Sequence, residues 1–148
     1  MSAEERELVS KAMAMVGKAY APYSHFQVGA AVRAASGAIY GGANVENASY
    51  GAAVCAERNA IAAAVNAGER RLTAIAVAGG KDGVAADFCP PCGICRQVMR
   101  EFADPKAFKV ILAKSAADVR VFSLDGLLPE SFGPEALGHS AGAEKKDE

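Results

Sequence analysis

The chain has 148 residues, 51% apolar and 22% charged, with sixteen basic side chains against seventeen acidic ones for a net charge of -1. A chain of this length and composition buries roughly 70% of its unfolded surface, which excludes a disordered chain and one that needs staples to fold. The charge balance excludes the basic stripe that phosphate backbones demand, and no run of 18 apolar residues offers a membrane span, so neither nucleic acid nor membrane is an expected partner. The stretch Met1–Leu8 is acidic and lacks the apolar centre of a secretory signal. Four cysteines without an export signal point to reduced thiols or metal ligands and to a cytoplasmic protein.

Ser2 followed by Glu5 is a capping-box pattern, and Leu8, Ala12, Met15, Val16 and Ala19 recur at helical spacing. These predict a helix over residues 3–19, ending before Pro22. Val28–Arg33 reads as a strand, Ser36-Gly37 as a turn and Ile39–Val45 as the returning strand of a hairpin. From Cys55 to Ala67 the chain is alanine-rich and helical in character, stopped by Gly68. Leu72–Ala78 suits a central strand, and Gly79–Pro91 reads as a loop. Pro91 and Pro105 bracket a helix over Cys92–Phe102. Phe108–Ala113 and Val119–Ser123 are the last two strands. Only Lys114–Asp118 separates them, too short for a parallel crossover, so they must run antiparallel. Alternating helices and strands predict an α/β fold: one five-stranded mixed sheet between two layers of helices. One domain is expected over residues 1–138, followed by a disordered tail over 139–148.

Cys92-Gly93-Ile94-Cys95 is a C-x-x-C at a helix start, where both sulfurs reach one ion and the helix end favours thiolates. Alone it is compatible with zinc, with a redox dithiol or with two small buried side chains. Cys55-Ala56-Glu57 opens the other helix. Cys55 joined to Cys92 and Cys95 supplies three sulfur ligands and leaves a fourth tetrahedral position open, the catalytic form of a zinc site. Glu57 then stands beside that position as a proton carrier.

This combination is similar to the zinc deaminase signature in its three-cysteine variant. The segments Tyr20–Ala31, Asn44–Tyr50, Cys92–Gln97 and Leu127–Phe132 extend the likeness over about residues 5–135. Together they resemble the small cytidine deaminases of pyrimidine salvage. The resemblance implies one Zn2+ per chain on Cys55, Cys92 and Cys95. It implies that Glu57 moves protons between the attacking water, N3 and the departing amino group of cytosine, giving uridine and ammonia. It places Arg58 beside the ligand sulfurs, offsetting the excess charge of three thiolates on one zinc, with Gln97 in the same neighbourhood. Phe26 is implied against the pyrimidine face, the Ala56 N–H at the C2 carbonyl, and Asn44 and Glu46 at the ribose 3′-hydroxyl. Ala48, Tyr50 and Phe132 resemble positions that complete a neighbouring subunit's site in a homotetramer.

Cys89 departs from the family pattern and offers the alternative of a fourth ligand and a closed, structural zinc. His25 reads as a surface or structural residue and His139 as part of the tail. Two other functions compete with nucleoside deamination. One is a related deaminase acting on another cytosine-ring compound, such as blasticidin S, or on a base in RNA or DNA. The other is a non-enzymatic, zinc-stabilised binding module.

Overall fold

The computed structural model describes residues 1–143. Helix α1 (Ala3–Val16) starts from Ser2, whose hydroxyl accepts the Glu5 N–H while the Glu5 carboxylate accepts the Ser2 N–H. Two backbone donors left free by the helix start are thereby satisfied reciprocally. Strands β1 (Phe26–Ala34), β2 (Ile39–Ala43), β3 (Leu72–Lys81), β4 (Lys109–Ala113) and β5 (Val119–Ser123) form one sheet in the order β2-β1-β3-β4-β5. The β3–β4 pair is parallel and the other neighbours are antiparallel, including β4–β5. Helix α2 (Ala56–Asn66) follows the hairpin, and α3 (Gly93–Phe102) makes the crossover from β3 to β4. A single turn, α4 (Leu124–Leu127), follows β5.

The sheet is buried on both faces, and strand alternation divides the core in two. Val28, Ala30, Val32, Val77, Val110 and Leu112 pack with Ala60, Ile61 and Ala64 of α2 and Met99 of α3. Ala31, Ala76, Ala78, Ile111 and Ala113 face Leu8, Val9, Ala12 and Val16 of α1. The result is the expected three-layer α/β/α arrangement. Gly42 of β2 controls how near α2 comes: a Cβ there would collide with the Ala60 amide and the Ala56 carbonyl. The first turn of α2, which carries the C-A-E motif, is thus held directly on the sheet. Among the described residues no helix is long and apolar enough to cross a membrane.

Several boundaries differ from the sequence reading. Helix α1 stops at Val16 rather than 19. Beyond Gly17 the backbone is drawn into a bridge with the end of the hairpin, Tyr20 donating to the Asn44 carbonyl and accepting from Glu46. Strand β2 ends at Ala43 rather than Val45, because the Asn44 side chain takes over the next contact, accepting the Val28 N–H at 2.8 Å. Strand β3 runs through Gly79 and Gly80 to Lys81, into the expected loop, since both glycines pair with β1 where neighbouring backbone leaves no room for a side chain. Of the expected tail, residues 144–148 lie outside the described residues. Residues 139–143 turn back onto the body instead: the Gly142 N–H donates to the Glu101 carbonyl at 2.8 Å. Gly142, at φ +66°, fits where a side chain would strike the Arg70 carbonyl.

Candidate active site

Two helix starts meet at one point. Cys55 is the N-cap of α2 and Cys92 the N-cap of α3, both with extended backbone, and neither thiol is used in capping its own helix. Cys95 sits one turn into α3 and is fully buried. The Cys92 and Cys95 sulfurs are 3.5 Å apart, those of Cys55 and Cys92 3.9 Å, and all three lie within 4.8 Å of one another. Three thiolates bound tetrahedrally at about 2.3 Å from zinc stand roughly 3.8 Å apart. The donor set therefore fits one zinc ion with a fourth position left for a small ligand. Cys89 is not part of the cluster. Its half-buried thiol packs against the core on the α2–α3 side of the sheet, and burial pushes it up to about 11.

Electrostatics divide the protons of the free triad unevenly. A hydrogen bond from Cys95 holds Cys55 far below the ordinary thiol range, and the Arg58 guanidinium, 3.7 Å from the Cys55 sulfur, adds to this. Cys95, as the partner that keeps its proton, is pushed up. The surroundings thus favour ionisation at Cys55 over Cys95. Glu57, the second helical residue of α2, is 4% exposed. Burial pushes its carboxyl up to about 6, against the pull of its own backbone N–H, and the Cys55 thiolate raises it further. A carboxyl poised there exchanges protons readily near neutrality.

The Ala56 N–H is one of the first-turn donors of α2 that have no partner within the helix. Phe26, 43% exposed, opens β1, and Asn44 locks it in place by donating to its carbonyl at 2.8 Å. Glu46 lines a cavity of about 350 Å³ with Tyr23, Ser24, Asn47, Tyr50 and Ala53. Ala48 is exposed on the same connection, and the Tyr50 ring, 80% exposed, meets Tyr23 edge to face at 6.4 Å. Phe132, 63% exposed, projects from the segment after α4. Gln97 donates to the Phe132 carbonyl at 2.9 Å rather than to a ligand sulfur.

The sequence reading passed over three residues. Arg96 donates from Nε to the Pro91 carbonyl and from Nη1 to the Leu127 carbonyl, both at 2.7 Å, fixing the approach to Cys92. Arg100 is almost wholly buried, holds Ser131 and Glu135, and so ties the segment around Phe132 to α3. Ser24 touches both Glu46 and Phe26. The two arginines follow the C-x-x-C at positions on α3, and only that adjacency marked them.

Residues 2–111 match the model of the cytidine and deoxycytidylate deaminase zinc-binding region. The chain is 42% identical over 137 residues to a cytidine deaminase of Halalkalibacterium halodurans, covering 90% of this chain and 98% of that one. The crystal structure of cytidine deaminase from Burkholderia pseudomallei superimposes with a TM-score of 0.78 at 46% identity, over 89% of this chain and 100% of that one. That of cytidine deaminase from Mycobacterium tuberculosis gives 0.74 at 36% identity, over 89% and 99%. The chain belongs to the zinc-dependent cytidine and deoxycytidylate deaminase family.

Proposed function

We propose that this chain hydrolyses the 4-amino group of cytidine and deoxycytidine, giving uridine or deoxyuridine and ammonia, as a step of cytoplasmic pyrimidine salvage. The observation that carries this reading is the three-thiol cluster at two facing helix starts with the buried Glu57 beside it. Relatives of nearly the same length that are cytidine deaminases support it.

Cys55, Cys92 and Cys95 would hold the zinc ion, which as a Lewis acid lowers the pKa of a bound water to about 7 and so supplies the nucleophile. Glu57 accepts one proton of the attacking water and delivers it to N3 as the C4–O bond forms, then takes the proton left on the new C4 hydroxyl and passes it to the amino group as the C4–N bond breaks. Its raised pKa suits both directions of transfer. Arg58 offsets the negative charge of the thiolates. The Ala56 N–H meets the C2 carbonyl, Phe26 packs on the ring, and Asn44 and Glu46 receive the 3′-hydroxyl. Asn44 keeps one N–H for this task after donating to Phe26, and Glu46 keeps one acceptor site. One catalytic domain over residues 1–138 carries this machinery.

Exposed Tyr50 and Phe132, with Ala48, support a homotetramer in which these residues complete a neighbour's site. The need for reduced thiols supports a cytoplasmic address.

A free nucleoside is favoured over a nucleotide because none of the residues lining the Glu46 cavity is basic. A 5′-phosphate brings about -1.5 to -2 charges toward that carboxylate. The test is kcat/KM for cytidine, deoxycytidine and their 5′-monophosphates, followed by the absorbance change on loss of the amino group. Both nucleosides are expected to react well and the monophosphates poorly. A monophosphate within about tenfold of its nucleoside, roughly 1.4 kcal/mol, overturns the nucleoside assignment.

A further inference from the structure

Residues 20–25 contain no helix or strand apart from the bridge at Tyr20, yet their backbone is closely tied. His25 donates to the Ala21 carbonyl at 3.0 Å and lies in the left-handed region at φ +58°, which reverses the chain just before Phe26. Its carbonyl accepts the Asp82 N–H beyond the end of β3. The Glu46 carboxylate sits within this turn. Its Oε1 accepts the Tyr23 N–H at 2.9 Å and the Ser24 N–H at 3.2 Å, while its Oε2 accepts the Ser24 hydroxyl at 2.5 Å. The Ser24 oxygen in turn accepts the Phe26 N–H at 3.0 Å.

A serine hydroxyl has one proton. Spent on Glu46, it leaves only acceptor lone pairs, and one of these takes the Phe26 amide. The two groups are therefore the ends of one directed chain, from the Phe26 N–H through the Ser24 O–H to the Glu46 carboxylate. A carboxylate has about four acceptor sites, and three are filled here, so the Ser24 hydroxyl decides which lone pair of Oε2 still faces outward. Without it the terminal torsion of Glu46, which is broad, has nothing to hold Oε2. The same bond is the largest cause keeping the Glu46 carboxyl below its ordinary range.

We propose that Ser24 is a positioning residue that couples sugar recognition by Glu46 to ring packing by Phe26. The inference rests on the proposed reading in which those two side chains meet the ribose and the pyrimidine. It adds that the two contacts are set jointly, through one hydroxyl on the turn between them.

The test is steady-state kinetics of the zinc-loaded protein with cytidine and 3′-deoxycytidine, for wild type, Ser24→Ala and Ser24→Thr. With Oε2 of Glu46 no longer held, Ser24→Ala should raise KM for cytidine about tenfold while changing kcat less than about threefold. Ser24→Thr, which keeps the hydroxyl, should restore KM to within about threefold. With 3′-deoxycytidine the wild-type KM is already raised, and Ser24→Ala should add at least about threefold less than it adds with cytidine. Should the alanine variant fail to accumulate, Ser24→Cys carries the same test, because a thiol is a weak donor. A purely structural serine would lower Tm and the active fraction and leave KM within about twofold. That outcome overturns the inference, as does an equal rise in KM for both substrates. If the wild type itself is indifferent to the 3′-hydroxyl, the Glu46 reading fails and the coupling falls with it. If the wild type discriminates and Ser24→Ala discriminates just as strongly, only the coupling falls.

Discussion

Glu57→Gln separates what this carboxyl does for the reaction from what it costs the fold. The side chain is 4% exposed, and glutamine matches its volume, so packing is conserved. Removing a general acid–base group typically costs on the order of 100- to 10,000-fold in rate, or about 3–5 kcal/mol, and the proposed mechanism uses Glu57 in more than one transfer. Turnover of cytidine should fall by at least that lower bound, with zinc content unchanged. Stability should move the other way in the chelator-stripped protein. A carboxyl held at about 6 instead of its ordinary 4.5 destabilises the folded state, when ionised, by about 2 kcal/mol. A raised pKa contributes stability fully below pH 4.5 and loses it as pH rises through about 6. Glu57→Gln, which never ionises, should therefore be the more stable protein at pH 7.5, by up to about 2 kcal/mol, and the advantage should vanish below pH 4.5. Chemical denaturation at the two pH values measures it. Zinc loading should shrink the difference at neutral pH, because a nearby cation favours the ionised form. Near-normal turnover in Glu57→Gln would remove the residue from the mechanism. An absent stability gain at pH 7.5 would refute the assignment of the shift to burial.

Cys89→Ser should keep one zinc per chain with three sulfurs and one light atom in X-ray absorption, whereas Cys55→Ala should lose metal and stability together. Zinc loss in Cys89→Ser would instead identify a closed four-sulfur site. Glu135 is held below the ordinary carboxyl range by its hydrogen bond with Arg100, so the stability it adds is present above about pH 4.5 and fades as pH falls through its lowered value. Glu135→Gln should accordingly flatten the acid limb of Tm against pH and cost no more than about 1 kcal/mol at pH 7, since the carboxylate is half exposed. An unchanged acid limb would show that the pair contributes nothing.

The parts of the fold that were legible in the sequence are those fixed by local chemistry. Ser2 and Glu5 marked the start of α1, Pro91 and Pro105 bracketed α3, and the five residues 114–118 dictated an antiparallel end to the sheet. The order of the strands and the antiparallel β1–β3 pairing left no local trace, because they depend on contacts between distant segments. Gly79 and Gly80 misled for a related reason. Glycine disfavours strands in isolation, but here it is the residue that lets β3 lie against β1 and the Val84 backbone. In the site, the cysteines and Glu57 announced themselves through spacing and residue type. Ser24 did not, since a serine in a turn has many ordinary uses, and its contact with Glu46 spans 22 residues of sequence.

The position of Cys55 explains how so short a motif as Cys55-Ala56-Glu57 could serve the three purposes proposed for it. Inside a regular helix, residues two apart point about 200° from each other, so a metal ligand and its proton carrier would face opposite ways. Cys55 is instead the N-cap, with φ -69° and ψ 155°, so its side chain leaves the helix path while Glu57 follows it. Ala56, between them, contributes no functional side chain but an N–H that the helix cannot use. The same helix end carries the partial positive charge that favours the Cys55 thiolate. A helix that began one turn earlier would bury the Ala56 N–H in its own ladder and swing Cys55 away from Cys92. The chemistry therefore depends on where α2 starts, and Gly42, by admitting that first turn directly onto β2, sets how closely the helix start is seated on the sheet.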